Sequence, residues 1–170
     1  MKHLILGGVR SGKSRLAEEL AIQTELPIIY IATATANDDE MKHRIQRHKD
    51  RRPESWEIIE EPIKLAQILQ DYSNNNHCLI VDCLTLWLAN CLMLNDENRF
   101  QHERKNLLQC LPTLTGKTIF VSNETNMGII PMGTLTRRYV DEAGMLHQDI
   151  AKLCEQVTLT VAGLPVRVKG

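Results

Sequence analysis

The 170 residues contain no C-x-x-C pair, almost no net charge, no apolar run of bilayer length and no internal repeat. Each absence closes a class of function. The five cysteines, Cys78, Cys83, Cys91, Cys110 and Cys154, are odd in number and share no metal-ligand spacing, which argues against a disulfide framework and against a zinc site. Reduced thiols in the cytosol are the plain reading. Twenty Lys and Arg against 21 Asp and Glu leave a net charge of -1, so no overall field draws the chain to nucleic acid or to a membrane, and neither is expected as a partner. The most apolar later stretch, 84–94, is about half the ~20 residues that a membrane span needs, and it contains Asn90. Before Gly7 the chain offers a single Lys and the short apolar run LIL, too little for a signal sequence. A soluble, cytoplasmic chain is expected.

What is present is an alternation. Apolar residues make up 43% and charged residues 24%, ordinary globular proportions, and the length suits one domain, since about 100 to 200 residues per domain is usual. Strand signals fall at 3–6, 28–32, 56–60, 78–82, 117–122 and 157–162, with a short last strand after Pro165 as an edge hairpin. Helix signals fall at 12–24, 38–51, 62–71, 83–94, 99–110 and 133–156. The order predicts an α/β fold, a mostly parallel sheet with helices on both faces, as one nucleotide-binding catalytic domain over 1–170.

Directly after the first strand, GGVRSGKS fits G-x-x-x-x-G-K-[ST]: Gly7, Gly8, Val9, Arg10, Ser11, Gly12, Lys13 and Ser14. Glycines let backbone N–H groups turn inward around phosphate oxygens, and the start of the next helix adds positive potential. Lys13 is placed to reach the β and γ phosphates, and the Ser14 hydroxyl to ligate Mg2+. Such a loop needs a carboxylate partner for the metal at the end of a neighbouring apolar strand. CLIVD supplies Asp82. An Asp there also suits the cap of the helix that follows, and the two roles are compatible. Magnesium-dependent nucleotide chemistry follows, with the acceptor left open.

IATATANDDEMKHRIQRHKDRRP, 31–53, lies where the second strand gives way to a helix, at the carboxyl edge where ligands of open α/β sheets collect. Asp38, Asp39 and Glu40 suit the positive first turn of that helix. Arg44, His48 and Arg52 follow at intervals of four and share one face. His48 stands among Arg44, Arg47, Lys49, Arg51 and Arg52, and like charges disfavour a second proton on it. A neutral imidazole able to attack phosphorus is one reading. A solvated basic helix face with an incidental histidine is the other.

GGVRSGKS, YIATA, DDEMKHRIQRHKDRRP, Trp56 with Glu60, CLIVDCLTLWLANCL, VSNETNMGIIP and LTRRYVDEAGMLHQ occur in one order and spacing along nearly the whole chain. This set resembles the bifunctional adenosylcobinamide kinase and adenosylcobinamide-phosphate guanylyltransferase family of cobalamin biosynthesis. The resemblance implies a P-loop NTPase with a RecA-like sheet, a homotrimer, and two stages of chemistry. Adenosylcobinamide would be phosphorylated from ATP or GTP. A histidine would then take GMP from GTP and pass it to adenosylcobinamide phosphate, giving adenosylcobinamide-GDP. The family's nucleophile matches His48, and the likeness further implies that Ala32, Thr33, Ala34, Lys49, Asp50, Arg51, Glu60 and Asp82 border the nucleotide. The family pattern reads NE-V-G-MGI, R-x-F-R-D and G-x-x-NQ where this chain has Thr125 and Asn126, Val140 and His147; Arg137, Asp141 and Gln148 match. Asn126 is expected to keep a positive-φ turn, and Val140 removes a cation.

Asn123 and Glu124 follow the fifth strand at the same edge, where a polar pair can order a substrate, or simply begin a turn toward Gly128. His3, His77, His102 and His147 lack metal-ligand spacing and read as surface or satisfied polar residues. The segment CLTLWLANCLML is apolar around nearly its whole circumference, which means deep burial or a subunit interface, and in so small a domain the interface is the expected cover. Met127, Met132 and Met145 read as packing residues, with Met127 and Met132 also suited to touch a large apolar ring. A small-molecule kinase without guanylyl transfer and a nucleotide-dependent switch are the alternative functions.

Overall fold

The apolar runs LIL, IIYIA, CLIV and IFV are continuous rather than alternating, the pattern of strands covered on both faces. In the computed structural model, which describes residues 1–35, 53 and 55–170, the strands are β1 (Lys2–Gly7), β2 (Ile28–Ala32), β3 (Glu57–Glu60), β4 (Cys78–Asp82), β5 (Lys117–Asn123), β6 (Gln156–Val161) and β7 (Leu164–Lys169). The sheet order is β3-β2-β4-β5-β1-β6-β7. All pairs are parallel except β6 with β7. The expected edge hairpin is therefore present, and every parallel strand delivers its carboxyl end to one edge.

The described helices are α1 (Lys13–Ile22), α2 (Leu65–Tyr72), α3 (Leu84–Met93), α4 (Glu97–Cys110) and α5 (Thr134–Leu153), with a 3-10 turn at Leu111–Thr113. On one sheet face Ile5, Tyr30, Ile80, Ile119 and Val121 pack with Ala17 and Ala21 of α1. On the other Leu4, Ile29, Ile31, Leu79, Val81 and Phe120 meet Leu69, Trp87, Leu88, Phe100, Leu107 and Ile150. The expected helix at 38–51 lies outside the described residues. The helix expected to run to 156 stops at Leu153, because β6 begins at Gln156 and needs an extended backbone.

The interface expected for 83–94 is corrected. Leu84, Trp87, Leu88 and Cys91 are buried within the chain itself, since α3 lies on β5 and is flanked by α4 and α5. Only Met93 and Leu94 at its end are exposed. The Trp87 indole N–H donates to the Ile63 carbonyl at 2.8 Å, so the helix is also bonded across the layer. All five cysteines are unpaired and buried. Burial pushes Cys83 and Cys110 up to about 11 and Cys91 and Cys154 up to about 12, which makes them packing residues rather than nucleophiles.

At the opposite end of the sheet, buried His3 on β1 pairs through Nε2 with the Thr158 hydroxyl on β6 at 2.8 Å. Burial holds its pKa below 6.5. The folded state therefore disfavours the charged ring, so this histidine's stabilisation is complete above pH 6.5 and is lost as the pH falls below it. Urea unfolding at about pH 7.5 and about pH 5.5 is expected to show a smaller pH-dependent loss in His3→Gln than in wild type. Trp87→Ala is expected to cost about 3–5 kcal/mol in the same measurement, since it empties the centre of α3 and leaves the Ile63 carbonyl unpaired.

Candidate active site

The phosphate loop is shaped by what stands behind it. A Cβ on Gly7 would lie 2.2 Å from Thr160 Oγ1 and 2.6 Å from the Thr160 carbonyl, so only glycine fits where β1 ends against β6. Thr160 donates to the Leu6 carbonyl at 3.1 Å and shares a hydrogen bond with Ser11 at 2.7 Å. The Gly163 N–H, in the β6–β7 turn, donates to the Ser11 carbonyl at 3.0 Å. Arg10 at φ 56° and Gly12 at φ 98° reverse the backbone, an arrangement that turns N–H groups toward a common centre. Gly12 caps α1 without any side-chain bond, and no acidic residue occupies the first turn. Among the described residues no side chain caps the N–H groups of that first turn, which leaves the helix start open to an anion. Lys13 donates to the Gly8 carbonyl at 2.7 Å, with burial lowering its pKa against the opposing pull of Asp82.

Asp82 ends β4 facing this loop. Its Oδ2 accepts the Ser14 hydroxyl at 2.9 Å and also the Tyr30 hydroxyl from β2. The alternative capping role falls away, because Cys83 occupies the cap of α3 and no side chain caps that helix. Thr33 fixes the turn that follows: its hydroxyl donates to the Cys83 carbonyl at 2.7 Å and accepts the Cys83 N–H at 2.9 Å. Its backbone N–H donates to the Asp82 carbonyl at 3.2 Å. Thr33 is fully buried, so its side chain shapes the Asp82 turn. Ala32 pairs with Asp82 on one side and Glu60 on the other, which sets Ala34 and Glu60 on the same edge. The oxygen donors Ser14 and Asp82, hard and adjacent, suit Mg2+ completed by phosphates and water.

β5 lies between Asp82 and the phosphate loop. Asn123 pairs with Gly7 and bonds the Thr85 hydroxyl at 3.3 Å, and the Glu124 N–H donates to the Gly7 carbonyl at 2.9 Å. His147 is buried and bonded to Ser122 at 2.7 Å. Its Nδ1 has no hydrogen-bond partner among the described residues, so the satisfied-residue expectation holds for one ring nitrogen only. Asn126 does not adopt positive φ; its amide instead donates to the Val140 carbonyl at 3.1 Å, using the side chain where a backbone reversal was expected. His48, Lys49, Asp50 and Arg51 lie outside the described residues. Sequence reasoning missed Tyr30, Ser122, Thr160 and Gly163, which act through pairings far apart in sequence.

Along residues 3–168 the chain matches the family described as cobinamide kinase / cobinamide phosphate guanyltransferase. The chain belongs to this family. The bifunctional adenosylcobalamin biosynthesis protein CobP of Pseudomonas aeruginosa is 57% identical, covering 100% of this chain and 98% of that protein. The bifunctional adenosylcobalamin biosynthesis protein CobU of Escherichia coli is 34% identical, covering 99% and 100%. Among solved structures, a Pyrococcus horikoshii OT3 protein superposes with TM-score 0.58 at 10% identity, over 99% of this chain and 86% of that one. The RadB recombinase superposes with TM-score 0.53 at 13% identity, over 93% and 73%. These two show the fold alone, an α/β RecA-like sheet. As a member of the cobinamide kinase / guanyltransferase family, the chain is an enzyme.

Gly7→Ala is expected to weaken nucleotide binding at least about tenfold, roughly 1.4 kcal/mol, because the added methyl must displace the loop from Thr160. Titration with a fluorescent GTP analogue measures it.

Proposed function

We propose that the chain performs both reactions that describe its family, in one site on the phosphate loop, and that the guanylyl group passes through His48. What carries this reading is the Ser14–Asp82 pair beside Lys13 and an uncapped helix start, inside a chain matched to the family over residues 3–168.

In the first stage the aminopropanol hydroxyl of adenosylcobinamide attacks the γ-phosphorus of ATP or GTP, and the nucleoside diphosphate leaves. Gly7, Gly8, Val9, Arg10, Ser11 and Gly12 enclose the phosphates, while Lys13 exchanges the Gly8 carbonyl for phosphate oxygens. Ser14 and Asp82 would hold Mg2+, which when bound offsets phosphate charge. In the second stage the neutral His48 imidazole attacks the α-phosphorus of GTP and pyrophosphate leaves. Adenosylcobinamide phosphate then takes GMP from the histidine, giving adenosylcobinamide-GDP. An adduct divides one hard displacement into two that share the same cations. Ala32, Thr33, Ala34, Lys49, Asp50, Arg51 and Glu60 border the nucleotide in this reading, with Thr33 acting through its backbone.

A homotrimer in the cytoplasm completes the proposal. Five unpaired thiols fit a reducing compartment, and among the described residues no helix is long and apolar enough to cross a membrane.

Incubation with Mg2+ and GTP labelled at the α or the γ phosphate, followed by denaturation, tests the second stage. Acid-labile, alkali-stable label from the α position alone is expected in wild type and is expected to be absent in His48→Ala. Wild type without α label would leave a kinase or a nucleotide switch.

A further inference from the structure

The described carboxylates at the carboxyl edge divide by strand. Asp82, on β4, has Oδ2 committed to Ser14 and Tyr30. Glu60 ends β3, at the outer edge of the sheet and two strands beyond β4. Glu124 alone among them follows β5, the strand between Asp82 and the phosphate loop, and its backbone holds the Gly7 carbonyl at 2.9 Å.

Its two carboxylate oxygens differ. Oε1 accepts the Asn126 N–H at 2.7 Å. Oε2 lies 3.9 Å from Nδ1 of His147, outside hydrogen-bond range, with the side chains 14% and 8% exposed. That Nδ1 is one of four buried side-chain atoms without a hydrogen-bond partner among the described residues, and it lies on the side of the carboxylate. The other ring nitrogen is 2.7 Å from the Ser122 hydroxyl. When Ser122 donates to Nε2 the ring proton sits on Nδ1, toward Glu124; the opposite tautomer would set a lone pair against a carboxylate oxygen. Burial lowers the His147 pKa, with Glu124 opposing, which favours this neutral ring. Ser122 is fully buried, so the serine, histidine and carboxylate in a row are not a hydrolase triad. Among the described residues no donor reaches Oε2 of Glu124 within hydrogen-bond range, so it is the oxygen open to a proton.

We propose that Glu124 is a catalytic carboxylate of the kinase stage, taking the proton of the acceptor hydroxyl, and that His147, whose Nδ1 lies 3.9 Å from its Oε2, is a positioning residue that orients the carboxylate. The hydroxyl oxygen forms a bond to the γ-phosphorus, the bond from that phosphorus to the bridging oxygen breaks with its electron pair leaving on the nucleoside diphosphate, and the hydroxyl proton passes to Glu124. The inference rests on the kinase stage of the proposed function and is independent of the His48 adduct. Wild type that phosphorylates adenosylcobinamide without taking α label removes the adduct and leaves this assignment standing.

The test is steady-state phosphorylation of adenosylcobinamide from γ-labelled ATP by wild type, Glu124→Gln, His147→Ala and His147→Asn. Glu124→Gln is expected to lower kcat at least about 100-fold, the range for loss of a general base, with KM for ATP within about threefold. His147→Ala is expected to lower kcat about tenfold. His147→Asn, whose amide N–H overlays Nδ1, is expected to restore it to within about threefold of wild type. A kcat in Glu124→Gln within about threefold of wild type, or a loss confined to KM, overturns the catalytic role. Equal losses in the alanine and asparagine variants overturn the positioning role, because ring volume rather than a donor would then matter. Should circular dichroism show Glu124→Gln unfolded, the two His147 variants decide the proposal.

Discussion

One carboxylate oxygen joins the parts of this site. Oδ2 of Asp82 accepts a hydroxyl from α1 and another from β2, so the phosphate loop, the metal-side strand and its neighbour are fixed relative to one another by a single acceptor. The two hydroxyl donors replace the water that this half-buried oxygen gives up on folding. Thr33 supports the arrangement from the backbone side, bonding both polar atoms of the Cys83 peptide. The YIATA turn thereby sets the direction in which Asp82 leaves β4.

Behind the loop a second set of contacts does comparable work. Thr160 fills the space that a side chain at Gly7 would occupy and bonds Ser11. The antiparallel hairpin of β6 and β7 is thus more than a closing edge. Its turn presents Gly163 to the Ser11 carbonyl, and Gly12 approaches Gly163 closely enough that a Cβ would come within 3.3 Å of its Cα.

Strand positions were legible because both-face burial leaves continuous apolar runs, as in IIYIA and CLIVD, each observed at the expected bounds. The phosphate loop was legible because its geometry depends on local residue types. Thr160 and His147 were not, since each reaches the site through a partner far along the chain, 149 residues for Thr160 with Ser11 and 25 for His147 with Ser122. Helix α3 shows a different limit. A helix apolar on all sides reads alike whether a second subunit or the same chain covers it, and here α4 and α5 supply the cover. Asn126 shows a third, since an amide can meet its loop's bonding need through a side chain as readily as through φ.

Thr125, Asn126, Val140 and His147 lie together in space. The Thr125 hydroxyl donates to the Asn126 amide oxygen at 2.9 Å, the amide nitrogen donates to the Val140 carbonyl, and the Asn126 N–H donates to Glu124, the neighbour of His147. A side chain at residue 144 would press on that same amide, at 2.3 Å from its nitrogen, and the residue there is glycine. Thr125 and Asn126 therefore anchor the start of the 124–133 loop to α5 through the Val140 carbonyl. Arg137 anchors the other end by donating to the Pro131 and Met132 carbonyls. Between the anchors Met127, Ile129, Ile130 and Met132 stay exposed. Fastening the backbone at both ends holds that apolar row in place, since among the described residues its side chains are too exposed to be fixed by packing of their own.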